Sequence, residues 1–419
     1  MKIKGLIILI VGSILLSGCQ PDLPNMAAQS GKEGTSPTVV MAQPTSTSTP
    51  TLIPPTNTLT ATPTPTATPT PLLLEATVWH SDPLIPILNY HRFVFDTTPQ
   101  STGMKLRLSD FRSHLDQLYK AGYTLISLDD LMSGNIIVPE GRRPLVLSID
   151  DGYFADQLFL DENGKPSPLT GIGVLYDFYQ QHPDFGFEIP MFVNLGDKYY
   201  GNYFTGSWWI VMDGWEDDLA QVIVWGIEHG VIPYNHTYRH ERLDLTETVH
   251  IESVLAQHDL ALRSYLERAD RLDLVERISN YIALPYGIWP ANNSGIEALI
   301  SYTNPEGQPV RAIFEAGYEY RPTYALAPFS EGFDPLRLPR MAGISSSINN
   351  IIGQAENLPA AETCRLYFND NSQSPTIDEA KNAILTAITT DQCSEGIYIL
   401  NIGVFRVENG QITEVSLSY

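Results

Sequence analysis

The stretch Leu145-Val-Leu-Ser-Ile-Asp150-Asp151-Gly152-Tyr153 constrains this chain more than any other. A short β-rich apolar run fits a strand buried on both faces, and such strands belong to parallel sheets covered by helices. This one ends in two adjacent carboxylates and a glycine. In α/β folds reactive groups sit at the carboxyl ends of parallel strands. Neighbouring side chains on a strand point to opposite faces, so one carboxylate can bind a metal while the other handles a proton. Asp and Gly are also ordinary turn residues, and alone the pair fits a simple turn.

A second feature lies downstream. Val231-Ile-Pro-Tyr-Asn235 has strand character and leads into His236-Thr-Tyr-Arg-His240. Two His at i and i+4 share one face of a helical turn, so both imidazoles can reach one metal. A surface pair without function has the same spacing.

Around these features strands and helices alternate. Residues 84–88 form a short apolar run ending at Asn89-Tyr90-His91-Arg92. Phe111, Leu115, Leu118 and Tyr119 have helical spacing, and Gly122 closes that helix. Residues 123–127 and 188–194 are strand candidates, and 169–181 and 215–229 are helix candidates. A long helical region spans 246–279. Tyr281-Ile-Ala-Leu-Pro285-Tyr286-Gly287 is a strand meeting a Pro-Gly turn. Residues 312–317 and 396–402 are further strand candidates, with a helix near 377–389. Roughly seven or eight strands, several followed by helices, predict a parallel (β/α) barrel or a barrel-like fold.

Between 197 and 215 stand Tyr199, Tyr200, Tyr203, Phe204, Trp208, Trp209 and Trp215. They fit a loop that buries its aromatics, or a platform on which sugar rings stack.

The N-terminal part of the 419-residue chain is of another kind. Residues 1–18 combine Lys2 and Lys4 with an apolar run too short for a transmembrane helix. Leu16-Ser-Gly-Cys19 resembles the lipobox of bacterial lipoproteins, which implies a signal peptide over 1–18 and a lipid on Cys19. From Pro44 to Pro71, 20 of 28 residues are Thr or Pro. Residues 19–75 are therefore expected to form a disordered linker, reaching on the order of 80 Å at about 3.1 Å per residue. The expected location is extracytoplasmic, held to the cell membrane by lipid. Residues 76–419 remain for one catalytic domain. The formal charge of −23 becomes −25 without Lys2 and Lys4, which disfavours nucleic acid as a partner. Cys364 and Cys393 can pair or remain thiols in an exporting context that permits disulfides.

Asp150-Asp151 and His236/His240 all follow strand ends, which a barrel gathers on one face. One carboxylate and two imidazoles leave positions open on a catalytic divalent ion. The pattern here resembles the polysaccharide deacetylases, the NodB-homology group of carbohydrate esterase family 4. Ser148-Ile-Asp150-Asp151-Gly152 is similar to their T-F-D-D-G motif, His236-Thr-Tyr-Arg-His240 to H-[ST]-x-x-H, and Leu284-Pro285-Tyr286-Gly287 to the end of R-x-P-Y-G. The resemblance covers about residues 84–402. It implies an α/β fold, a distorted (β/α) barrel of about seven strands. It also implies Asp151, His236 and His240 as ligands of a divalent metal, zinc first, with cobalt, nickel or iron as alternatives. Asp150 would be the general base, and the backbone N–H of Tyr286 would help hold the oxyanion. Pro285, Trp208 and Trp209 would contact the substrate, an N-acetylated polysaccharide.

Two departures stand out. The motif Arg that orients the base falls on Ala283. No His follows His258, so the usual C-terminal acid is missing, although residues 396–402 have the right strand character. Leu88-Asn-Tyr90-His91 resembles the L-x-Y-H of poly-N-acetylglucosamine deacetylases, in which the first-strand His is the acid, and this implies that role for His91. The expected activity is removal of N-acetyl groups from N-acetylglucosamine in a cell-surface or extracellular polysaccharide. The alternatives are a glycan-binding scaffold lipoprotein that lost activity with the Arg, and an O-acetyl esterase of the same fold.

Overall fold

The computed structural model describes residues 72–417 except 103, 154, 197–202, 206–207, 211–213, 317–322 and 369–373, and only the backbone of 203–205 and 208–210. The expected signal peptide over 1–18, Cys19 and the Thr/Pro tract lie outside the described residues.

The principal strands are β1 (Leu72–Trp79), β2 (Ile87–Tyr90), β3 (Tyr123–Leu125), β4 (Arg143–Gly152), β5 (Ile189–Val193), β6 (Val231–Asn235), β7 (Tyr281–Ala283), β8 (Ala312–Phe314), β9 (Met341–Ala342), β10 (Glu362–Phe368), β11 (Gly396–Leu400), β12 (Gly403–Glu408) and β13 (Gln411–Glu414). The main helices are α1 (Leu108–Lys120), α2 (Gly171–Gln181), α3 (Trp215–Glu228), α4 (Thr248–Arg268), α5 (Asn293–Ile300), α6 (Ser345–Gln354) and α7 (Ile377–Thr389).

Seven parallel strands form the main sheet, in the order β8-β7-β6-β5-β4-β2-β9, and β3 pairs with the first residues of β4. β4 and β5 are almost wholly buried, as their unbroken apolar character demands. The helices bury one stripe each. In α1 that stripe is Phe111, Leu115 and Leu118, each such side chain contributing about 1.5–3 kcal/mol on burial. α2 starts where Thr170 accepts the Gly173 N–H, a side-chain cap. The long region expected over 246–279 divides: α4 ends at Arg268, Asp270 takes a left-handed φ of 55°, and a 3-10 turn spans Leu272–Arg277.

The sheet curls far enough for its edges to be joined. Glu315 N–H donates to Leu338 O and Leu338 N–H to Ile313 O, both at 2.9 Å, beside β8. Three residues beyond Leu338, Met341 pairs with Leu88 on β2. The segment 335–342 thus runs from one edge to the other. This is the distorted seven-stranded barrel that was expected.

Residues 396–402 were expected as a strand and do form β11, but in a different sheet. β10, β1, β11, β12 and β13 make a five-stranded antiparallel sheet in that order. Its alternating side chains serve two cores. Trp79, Ile397, Ile399 and Val404 join the barrel core. Val78, Tyr398, Leu400 and Phe405 meet Ala380 and Ile384 of α7. Alternation along a strand produces both faces. β1 begins at Leu72, inside the stretch expected as linker, because Leu72 and Leu74 pack against the second core. Cys364 and Cys393 form a disulfide. Among the described residues no helix is long and apolar enough to cross a membrane.

Candidate active site

The end of β4 departs from simple alternation. The β4–β5 register shifts between Asp150 and Gly152, and Asp151 takes a φ of 59°. A bulge of this kind re-aims a side chain. Both carboxylates accordingly approach one imidazole: His236 Nε2 is 4.0 Å from Asp150 Oδ2 and 3.8 Å from Asp151 Oδ1. Opposite orientation, expected from strand alternation, is corrected by the bulge.

The histidine pair is also built differently from the expectation. Residues 236–240 do not form a helical turn. Thr237 and His240 have φ of 61° and 59°, and the Asn235 side chain accepts the Thr237 N–H at 2.9 Å. This Asx-type bond stabilises the reversal. The two rings come to 4.8 Å between centroids.

Ligand atoms of Asp151, His236 and His240 lie within 4.8 Å of one another. The fit to a cation can be judged from His236. Its Nδ1 faces the Ala283 carbonyl at 2.8 Å. A carbonyl only accepts, so Nδ1 carries the hydrogen. Burial pushes the imidazole pKa down, against the pull of Asp150 and Asp151, so the ring is neutral at pH 7 and Nε2 carries a lone pair. A lone pair facing two carboxylates is repulsive until a cation stands between them. The donor set therefore fits a divalent ion, and the Ala283 carbonyl would orient His236 toward it as outer partners of metal-bound His do.

Asp150 is 2% exposed and carries a partner that sequence reasoning missed. Arg340 Nη1 donates to Oδ1 at 2.6 Å and Nη2 to Oδ2 at 2.8 Å. Arg340 also donates to Glu315 O at 2.8 Å and Ser148 Oγ at 3.2 Å, and lies over the Phe192 ring. Asn89 donates to Asp150 Oδ2 at 3.3 Å. Burial raises the carboxyl, but Arg340, with His236 and His91, outweighs it and holds Asp150 below the usual carboxylate range. The segment that closes the barrel thus supplies a guanidinium that the third motif lacks. Ala283 itself is fully buried in β7. The available signal was a charged residue inside the apolar run Leu338-Pro-Arg-Met-Ala342.

His91 follows β2 directly, close enough to Asp150 for its charge to act on that carboxylate. Its Nδ1 is buried with no hydrogen-bond partner among the described residues. Tyr286 has a φ of 58° and lays its half-exposed ring 4.5 Å from the His240 ring. Pro285 is buried at the start of that turn. The backbones of 203–205 and 208–210 pair antiparallel, while the side chains of Trp208 and Trp209 lie outside the described residues.

No protein-family model matches the chain, and no curated protein does. Among solved structures, the chain is similar to the Streptococcus pyogenes deacetylase PplD in complex with acetate, at 16% identity and a TM-score of 0.42, over 65% of this chain and 98% of that one. It is similar to IcaB from Ammonifex degensii at 16% identity and a TM-score of 0.40, over 66% and 98%. It is similar also to a de-N-acetylase from Aggregatibacter actinomycetemcomitans, at 16% and 0.40, over 64% and 98%.

Proposed function

We propose that this chain is a metal-dependent hydrolase that removes N-acetyl groups from N-acetylglucosamine units of a cell-surface or extracellular polysaccharide. One observation carries the reading. Three metal-type donors, Asp151, His236 and His240, meet beside a second carboxylate held ionised by Arg340. A divalent ion bound by that triad would polarise the acetyl carbonyl and activate water.

The protein's own groups do the rest. Asp150 is a fixed acceptor for the proton of the attacking water. His91 gives a proton to the departing nitrogen, because an amine leaves poorly without one. The Tyr286 N–H stabilises the developing oxyanion, the kind of donor worth about 2.7–4 kcal/mol. Pro285, Trp208 and Trp209 contact the sugar in this proposal. Cys19 holds the chain to the extracytoplasmic face of a membrane, and replacing it should release the protein from the detergent phase.

The test is acetate release from N-acetylglucosamine oligomers. A chelator should abolish it and zinc should restore it, with cobalt, nickel and iron compared. Asp150→Asn should lose on the order of a hundredfold or more of the rate. Equal and negligible release by wild type and Asp150→Asn, with metal bound, would leave a glycan-binding scaffold. Release from O-acetyl but never N-acetyl glycans would make it an esterase.

A further inference from the structure

The ladder between β2 and β4 stops one residue short of His91. Its last pair is Tyr90 with Ile149, and the bulge then carries Asp150 to Gly152 into register with β5 alone. The proposed acid and base therefore sit beyond the point where strand pairing fixes their separation. Two backbone carbonyls, those of His91 and Asp150, remain at this open end.

Gln157 spans them. Its Nε2 donates to His91 O at 2.6 Å and to Asp150 O at 2.8 Å. Carbonyls only accept, and a primary amide has two hydrogens, so this side chain suits both positions. Gln157 is fully buried, and its own backbone is tied down where its carbonyl accepts the Ile172 N–H of α2 at 2.9 Å. Its neighbour secures the next residues of the same segment. Asp156, also buried, accepts the Phe93 N–H at 2.7 Å and both Nε and Nη2 of Arg92. Phe93 in turn lies against Gly171, where an added Cβ would fall 2.2 Å from the ring.

We infer that Gln157 is a positioning residue that replaces the missing rung of the ladder and sets His91 against Asp150. This rests on the proposed function. It acts through the step in which the C–N bond breaks. The electron pair of that bond goes to nitrogen, His91 transfers a proton to the same nitrogen, and the amine departs from the acetyl group. A leaving group stable as an anion needs no such proton. Displacing His91 therefore harms amide cleavage and spares an activated ester.

The experiment compares wild type, Gln157→Met and Gln157→Asn, all zinc-loaded. Met keeps most of the volume and removes both donors. Asn keeps the amide and shortens its reach. Substrates are an N-acetylglucosamine oligomer and 4-nitrophenyl acetate, and the histidine ring resonances are recorded by NMR. Oligomer turnover should fall on the order of tenfold to a hundredfold, while ester turnover changes by less than about threefold. The His91 resonances should shift, with those of His236 and His240 and the zinc affinity unchanged. A parallel loss on both substrates, no loss on either, or an unmoved His91 signal would overturn the inference. Absence of oligomer turnover in wild type would count against the proposed function instead, and the His91 signal would then decide the positioning role by itself.

Discussion

At the scale of single residues, the Asp150–Arg340 pair dominates. Both side chains are nearly inaccessible, so removing one leaves a buried charge without its counter-ion. Such losses cost about 3–5 kcal/mol. Arg340→Met should therefore lower the stability measured by urea unfolding by that amount, and push the Asp150 carboxyl up, away from the ionised form that the proposed base requires. Adding Asp150→Asn to Arg340→Met should recover much of the stability and none of the activity. Full stability in Arg340→Met would show that the pair is not buried as described. Asp150, Asp151, His236 and His240 were legible because each stands in a short motif. Arg340 was not, since 190 positions separate it from its partner and only closure of the barrel brings them together.

At the scale of elements, β7 and β5 make opposite demands. Ala283 in β7 occupies the place where the motif Arg falls, and it is fully buried. Ala283→Arg would force a long cation into filled space, while Asp150 already has its guanidinium in Arg340. It should destabilise by at least about 3 kcal/mol and fail to raise turnover. A gain in rate would mean that Arg340 does not do the work assigned to it. Just ahead of β5, Glu188 is pushed up to about 7, first by burial and then by Asp130, against Arg277. Unfolded, it titrates near its ordinary value of 4.5. The native state thus holds the proton more tightly between those values. The stability this contributes is complete below about pH 4.5 and lost as pH rises through 7. Glu188→Gln should flatten that fall, so its advantage over wild type in urea melts is larger at pH 8 than at pH 5. An equal advantage at both would contradict a raised Glu188. The strands and helices were legible here through periodicity. The bulge at Asp151 and the left-handed residues 237 and 240 were not, because backbone reversals at non-glycine residues leave no pattern in a sequence.

At the scale of the molecule, the barrel could be anticipated and the antiparallel sheet could not. β1 pairs with β10 and β11, which lie some 290 and 320 positions away, and neither local pattern nor motif connects strands so far apart. β11 was recognisable as a strand, yet nothing in its residues says which sheet it joins. The Cys364–Cys393 bridge marks the difference between the two units. It closes a chain separation of 29 residues within the antiparallel sheet and its helix α7. A cross-link of that span contributes about 3–4 kcal/mol, and here it restrains the face that packs on α7. Reduction should consequently loosen that unit first. Hydrogen exchange should speed up at amides of β10, β11 and α7 and stay slow in β4 and β5, with metal-supported acetate release retained. Ile397 and Ile399 lie on the opposite face of the sheet, in the barrel core, and this contact limits how far the loosening can spread. Equal acceleration in β4 and β5 would mean that the two cores open as one cooperative unit, and that the disulfide stabilises the active site as much as the sheet it joins.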